Sequence, residues 1–218
     1  MVDPPGFDLP GGLAPEVYPL AWLVGAWHGS GVLSYPGIPE TPFTQDVAFD
    51  HDGGPYLRYS SVIRVGSGDG VPDAAGSVSA GAADGGGHVG GGLPGATRDR
   101  PGGGAASATV ADPGRVWSTE SGFWRVSTER SADLAAGQHP LEVLLADPAG
   151  RVSVYLGIAA GGRIDLASDL IARTATGAAV TASKRLYGLV GGQLLWVWEL
   201  AAFGHPLQSY ASAQLDRI

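Results

Sequence analysis

Histidine, carboxylate and glycine are the residues of this 218-residue chain that could do chemistry, because it contains no cysteine. Disulfides, iron-sulfur clusters, thiolate nucleophiles and cysteine-held zinc are thereby excluded, and any metal falls to His, Tyr, Asp or Glu. The five histidines, His28, His51, His88, His139 and His205, show no i,i+3 or i,i+4 spacing that would put two imidazoles on one helical face. No G-x-S-x-G elbow presents a serine nucleophile. Glu120 and Asp169 sit in strand-like segments and could serve as general acid and base. Isolated strand carboxylates ordinarily face solvent, however, and nothing in the spacing brings these two together. His51, inside HDGGP, reads as a turn residue. No catalytic residue is assigned.

The glycines pose a sharper choice. GAWHGSG (25–31) could cradle a phosphate or could open a strand. A phosphate cradle needs its glycines after a strand, with amides converging on a helix start. Here the only helix-like stretch comes before them, over 12–24, and alternating residues follow. Gly25, Gly29 and Gly31 are therefore read as permitting a sharp entry into a strongly bent strand. Trp27 then plugs one end of the fold, and His28, on the opposite face, is solvated or at the rim. A G-x-G-x-x-G match at Gly90, Gly92 and Gly95 lacks the strand, helix and acidic residue of a dinucleotide site and reads as chance.

These residues must be held by something, and the chain reads as consecutive strands. Segments 31–36, 43–50, 56–65, 116–126, 141–147, 152–158, 164–172, 180–190 and 193–203 are short and rich in β-branched or aromatic residues, and the C-terminal PLQSYASAQLDRI makes a tenth. HDGGP, DPAGR, AAGGR, TATGA and VGGQ between them are turn sequences. Ten short strands with tight turns predict an all-β, up-and-down antiparallel barrel, since closure removes exposed edges. The prolines of 12–24 allow one or two helical turns, which would cap the barrel floor. Residues 66–114 break the pattern. Of these 49 residues 16 are glycine and none is aromatic, so the stretch is read as a flexible insertion in a single domain over 12–218, with 1–11 as a tail.

Composition limits the partners. The net charge of -8 would repel phosphate backbones and anionic lipid, so neither nucleic acid nor a membrane is expected as partner. The first residues, MVDPPGFDLPGG, have no basic or apolar signal region, and a cytoplasmic location is expected.

With GAWHGSG at a first strand, SYPGIP (34–39), FDHDGGPYLRYSS (49–61), TESGFWR (119–125) and HPLQSYASAQLDRI at the end, the chain resembles the nitrobindin family. These are small β-barrels, similar in shape to fatty-acid-binding proteins and lipocalins. The resemblance implies a b-type haem whose ferric iron, held by one histidine on the last strand, binds nitric oxide and converts peroxynitrite to nitrate. It also implies a monomer or homodimer.

At the matching position, two residues after the glutamine of Pro206-Leu207-Gln208, this chain has Tyr210. The implied reading is a nitrobindin-like barrel that has lost haem ligation, is not an enzyme, carries no cofactor and either binds a small lipophilic molecule or serves some other role. Tyr210 then fills space. Arg125 or Arg185 could anchor a ligand carboxylate, an outer or rim position being the other reading of each. The alternative is a ferric haem protein, a peroxynitrite isomerase, with Tyr210 as tyrosinate or His205 as ligand. His205 precedes Tyr210 by five residues. In a regular strand it would face the other side, about 16 Å away, although Pro206 could bend the chain.

Overall fold

Ten strands follow one short helical segment in the computed structural model, which describes residues 9–66 and 114–218. The strands are β1 (Gly25–Tyr35), β2 (Ile38–Asp50), β3 (Leu57–Val65), β4 (Arg115–Val126), β5 (His139–Asp147), β6 (Arg151–Ala160), β7 (Arg163–Arg173), β8 (Val180–Val190), β9 (Gln193–Ala202) and β10 (Gln208–Arg217). Each pairs antiparallel with its sequence neighbours, and β1 pairs with β10, so the sheet closes as an up-and-down barrel. The first strand starts at Gly25 rather than at residue 31, because GAWHGSG is itself paired with both β2 and β10. The readings of 66–114 as an insertion and of 1–11 as a tail lie outside the described residues, save for Gly66, Gly114 and residues 9–11.

Alternation decides which side chains fill the interior. In β3, Leu57, Tyr59, Ser61, Ile63 and Val65 are buried, whereas Arg58, Ser60, Val62 and Arg64 point outward. One end of the barrel is shut by a 3-10 helix, Pro15–Leu23, which Pro15 starts and whose Val17, Leu20 and Leu23 are fully buried. Trp27 lies beneath it, fully buried, with Nε1 donating to the Leu23 carbonyl at 2.8 Å and the Arg217 guanidinium 4.1 Å from its ring centroid. His28 faces out, 2.8 Å from Asp46. Gly25 has φ +132, and a Cβ on Gly29 or Gly31 would stand 2.1 or 2.2 Å from a β10 carbonyl oxygen. These glycines thus let β10 cross close to β1. Among the described residues no helix is long and apolar enough to cross a membrane.

The opposite end is shaped by bulges. Five ladders are irregular there: β1–β2 shifts between Leu33 and Tyr35, and single residues are skipped at Trp117 in β4, Asp169 in β7, Thr181 in β8 and Tyr210 in β10. A bulge reverses the inward-outward parity of the strand beyond it. Below the bulges, the buried residues of β10 are Ala211, Ala213 and Leu215 and the buried anchors of β4 are Glu120 and Trp124.

Candidate functional site

Trp117 and Tyr210 have the wrong parity to share the interior with those residues, and they reach it because each is the extra residue of a bulge. They meet there: Trp117 Nε1 donates to the Tyr210 hydroxyl at 2.7 Å. The Tyr210 ring stands edge-on to Trp198 and Tyr35, with centroids 5.0 and 6.0 Å away. Tyr35 is itself fixed, its hydroxyl 3.2 and 3.3 Å from the Leu200 and Ala202 carbonyls and accepting from the Ala202 amide at 2.9 Å. An aromatic plug therefore closes this end of the barrel.

Beneath the plug lies a buried ion pair. Arg185 reaches Glu120 with two bonds of 2.8 and 2.5 Å, and its guanidinium lies 4.0 Å from the Trp198 centroid and 5.3 Å from that of Tyr155. Trp198 is thus held between Arg185 and Tyr210. The Ser183 hydroxyl accepts from Tyr155 at 2.9 Å and from Trp198 Nε1 at 2.8 Å. Arg151, paired with Asp147 at 2.8 Å, adds a second cation 5.9 Å from the Trp198 centroid. The hollow bounded by Gln45, Tyr59, Glu120, Arg185, Trp196 and Trp198 measures about 10 Å³.

The electrostatics follow from this packing. Burial pushes the Glu120 carboxyl up, but the charge and hydrogen bonds of Arg185 outweigh it and hold it below the usual carboxylate range. Burial works against the Arg185 charge as well, and Glu120 keeps it ionised. Burial raises the Tyr210 phenol above its ordinary value, more than the Trp117 hydrogen bond and the Arg151 charge lower it. Tyr210 is a neutral phenol over a neutralised pair.

Several residues stand elsewhere than the sequence led one to expect. Glu120, expected on the solvent face, is buried at 7% exposure, because β4 turns its even positions inward. Asp169 is exposed, and the two carboxylates do not meet. Arg185 is inside, at 5% exposure, but both of its terminal nitrogens bond Glu120, so it is no free anchor. Arg125 is on the outer face, its Nε 2.7 Å from Glu142. His205 is not in a strand at all. Phe203 at φ +53 and Gly204 at φ +82 turn the chain between β9 and β10, and the exposed imidazole meets the Tyr35 ring edge at 6.0 Å, the same ring that Tyr210 touches. Trp117, Trp198 and the Glu120–Arg185 pairing escaped sequence reasoning. Only Trp117 carried a signal, and a weak one: an aromatic out of step with Glu120 and Trp124 of the same strand.

A closed up-and-down barrel of ten antiparallel strands with an aromatic-lined end defines a calycin-like β-barrel. A family profile described as "THAP4-like, heme-binding beta-barrel domain" matches residues 16–217. The chain belongs to this haem-binding β-barrel family, the nitrobindins. It is 43% identical to the ferric nitrobindin-like protein of Beutenbergia cavernae, over 97% of this chain and 99% of that one. It is also 37% identical to the peroxynitrite isomerase of Clavibacter michiganensis subsp. michiganensis, over 97% and 98%. The crystal structure of Rv2717c from M. tuberculosis matches with a TM-score of 0.62 at 25% identity, covering 94% of this chain and 99% of that one.

The family group was tested against the donors present here. Among the described residues no three His, Asp or Glu side chains gather to hold a metal. Tyr210 is kept protonated by burial and engaged by Trp117, and His205 is exposed outside the strand. The central hollow of about 10 Å³ compares with the roughly 300–1,000 Å³ of small-molecule pockets. At the position of the implied iron ligand the chain presents a phenol hydrogen-bonded to Trp117, and His205 stands in the turn before β10.

Proposed function

We propose that this chain is a nitrobindin-family barrel that has lost haem ligation, is not an enzyme, and binds a small, uncharged or lipophilic molecule at the aromatic end around Tyr210, Trp117, Trp198 and Tyr35. One observation carries this reading: the position at which the family resemblance implies an iron-binding histidine holds a phenol that is bonded to Trp117 and kept neutral by its surroundings. A neutral phenol is a poor iron ligand, because ligation requires the tyrosinate. Binding there requires the Tyr210 ring to leave its Trp117 partner, since the hollow beneath measures about 10 Å³.

The second reading, a ferric haem protein acting on peroxynitrite, is favoured by the family description and by the relatives called peroxynitrite isomerase. Titration with ferric haem, followed by visible absorption, decides between them. The proposed reading expects no defined ligand-field spectrum for the unaltered chain and the appearance of one for Tyr210→His. Stoichiometric binding by the unaltered chain, lost in Tyr210→Phe, overturns it and makes peroxynitrite decay the next assay.

A further inference from the structure

We propose that the wall between β7 and β8 is the route by which small uncharged molecules reach the interior beside Trp198. Both strands are eleven residues long, yet their ladder has only five rungs, from Arg163↔Gly188 to Ala167↔Lys184. Every other neighbouring pair in the barrel has at least six. Beyond Ala167 the two strands part. β7 stays with β6 as far as Arg151↔Arg173, and the chain after it follows the β5–β6 turn, with the Thr174 amide bonded to the Gly150 carbonyl at 2.8 Å. β8 instead stays with β9, and the Phe203 amide bonds the Ala179 carbonyl at 3.1 Å.

What bridges the seam is side chain rather than ladder. The Ser183 amide donates to the Ser168 hydroxyl at 2.9 Å, in place of a strand partner. Bulges at Asp169 and Thr181 flank it, so a regular pairing cannot zip up across it without shifting one strand by a residue. The axial end is fastened more firmly, by the Trp117–Tyr210 bond and the three contacts of the Tyr35 hydroxyl. The seam opens by rotating serine side chains and bending two strand ends, whereas the axial path requires removing a hydrogen-bonded aromatic plug. Ser183 itself stands on the seam and holds the Trp198 indole on its hydroxyl, and Ser153 on β6 pairs with Ile171, a β7 residue past the last β7–β8 rung. Ser168, Ser183 and Ile171 line the way; Asp169 and Lys184 beside it are exposed, and the charges within, Arg185 and Arg151, are already paired with Glu120 and Asp147, so none is left to compensate a charged solute crossing it. Neutral small molecules are the class that passes.

The destination rests on the proposed binding role, but the test does not. The chain has no cysteine, so single substitutions Ser183→Cys, Ser153→Cys and Ser61→Cys each give one thiol. The three serines are equally hidden, at 2%, 4% and 4% exposure, but Ser61 stands behind the continuous β2–β3–β4 wall. N-ethylmaleimide, a small neutral reagent, is applied to the folded full-length variants over a series of low urea concentrations. The seam predicts labelling of Ser183→Cys and Ser153→Cys at least about tenfold faster than of Ser61→Cys, at rates that low urea leaves unchanged, as expected for local opening. Rates within tenfold of one another, or rates at all three positions that climb together with urea, overturn it. Should Ser183→Cys not fold, because its hydroxyl serves two donors, the comparison of Ser153→Cys with Ser61→Cys decides alone. A negative haem or ligand titration leaves this outcome unaffected, and a failed seam leaves the binding site standing.

Discussion

Tyr210 and Trp117 show how a single hydrogen bond can commit a site. Removing the Tyr210 hydroxyl strands the Trp117 indole N–H at 8% exposure. Tyr210→Phe is expected to cost about 1–3 kcal/mol, read from urea unfolding followed by circular dichroism. The Glu120–Arg185 pair carries more. Glu120→Ala leaves a buried, unpaired guanidinium and should cost about 3–5 kcal/mol, while the double variant Glu120→Leu with Arg185→Met should recover most of that loss. The pH dependence has two limbs. Because the folded-state Glu120 carboxyl is held low, its contribution is present above the ordinary glutamate range and is lost as pH falls through the folded value. The phenols of Tyr59, Tyr187 and Tyr210 are raised, so their contribution is full below the ordinary tyrosine pKa of about 10 and fades as pH rises through the folded values. Unfolding midpoints measured from pH 3 to 11 should fall at both ends, and Glu120→Ala should flatten the acid limb.

At the level of elements, β1 and its bulged partners determine what the site can contain. Gly31 faces inward where a Cβ would lie 2.2 Å from the Ser212 carbonyl oxygen and 2.4 Å from the Phe43 ring. Gly31→Ala therefore pushes β10 away from β1, and the expected cost is about 1–3 kcal/mol. Trp27→Ala, at the shut end, empties a fully buried ring and should cost about 3–5 kcal/mol. The two variants differ in a second readout. Gly31→Ala shifts the strand that carries Tyr210, so near-ultraviolet dichroism of the Tyr210–Trp198 contact should change with it, whereas Trp27→Ala should change the signal of the shut end alone.

For the whole molecule, closure is the dominant fact, and one joint in it can be tested by deletion. Val65 and Arg115 are partners on the last rung between β3 and β4, so a two- to four-residue turn can connect them. Replacing 66–114 with such a turn shortens the connection that folding must close, and the barrel should hold its stability or gain up to about 2 kcal/mol in urea unfolding. A loss of stability would show that the replaced segment contributes to the fold.

The sequence by itself determined the ten strands, their up-and-down order and the closed barrel, because period-two alternation and glycine turns are local signals that each strand carries alone. It also identified Trp27 and the glycines around it, and it singled out position 210. Only the tertiary structure decided which arginine went inside, that Glu120 was its partner, that His205 lay in a turn beside Tyr35, and that Trp117 bonded Tyr210. The physical reason is parity. A one-residue bulge leaves no mark in composition, yet it exchanges the inner and outer faces of everything beyond it. All four of those outcomes lie on strands β4, β8 and β10 or at the turn that enters β10, where the bulges occur. Pairing between strands sets where a bulge falls, and that depends on neighbours far away in the chain.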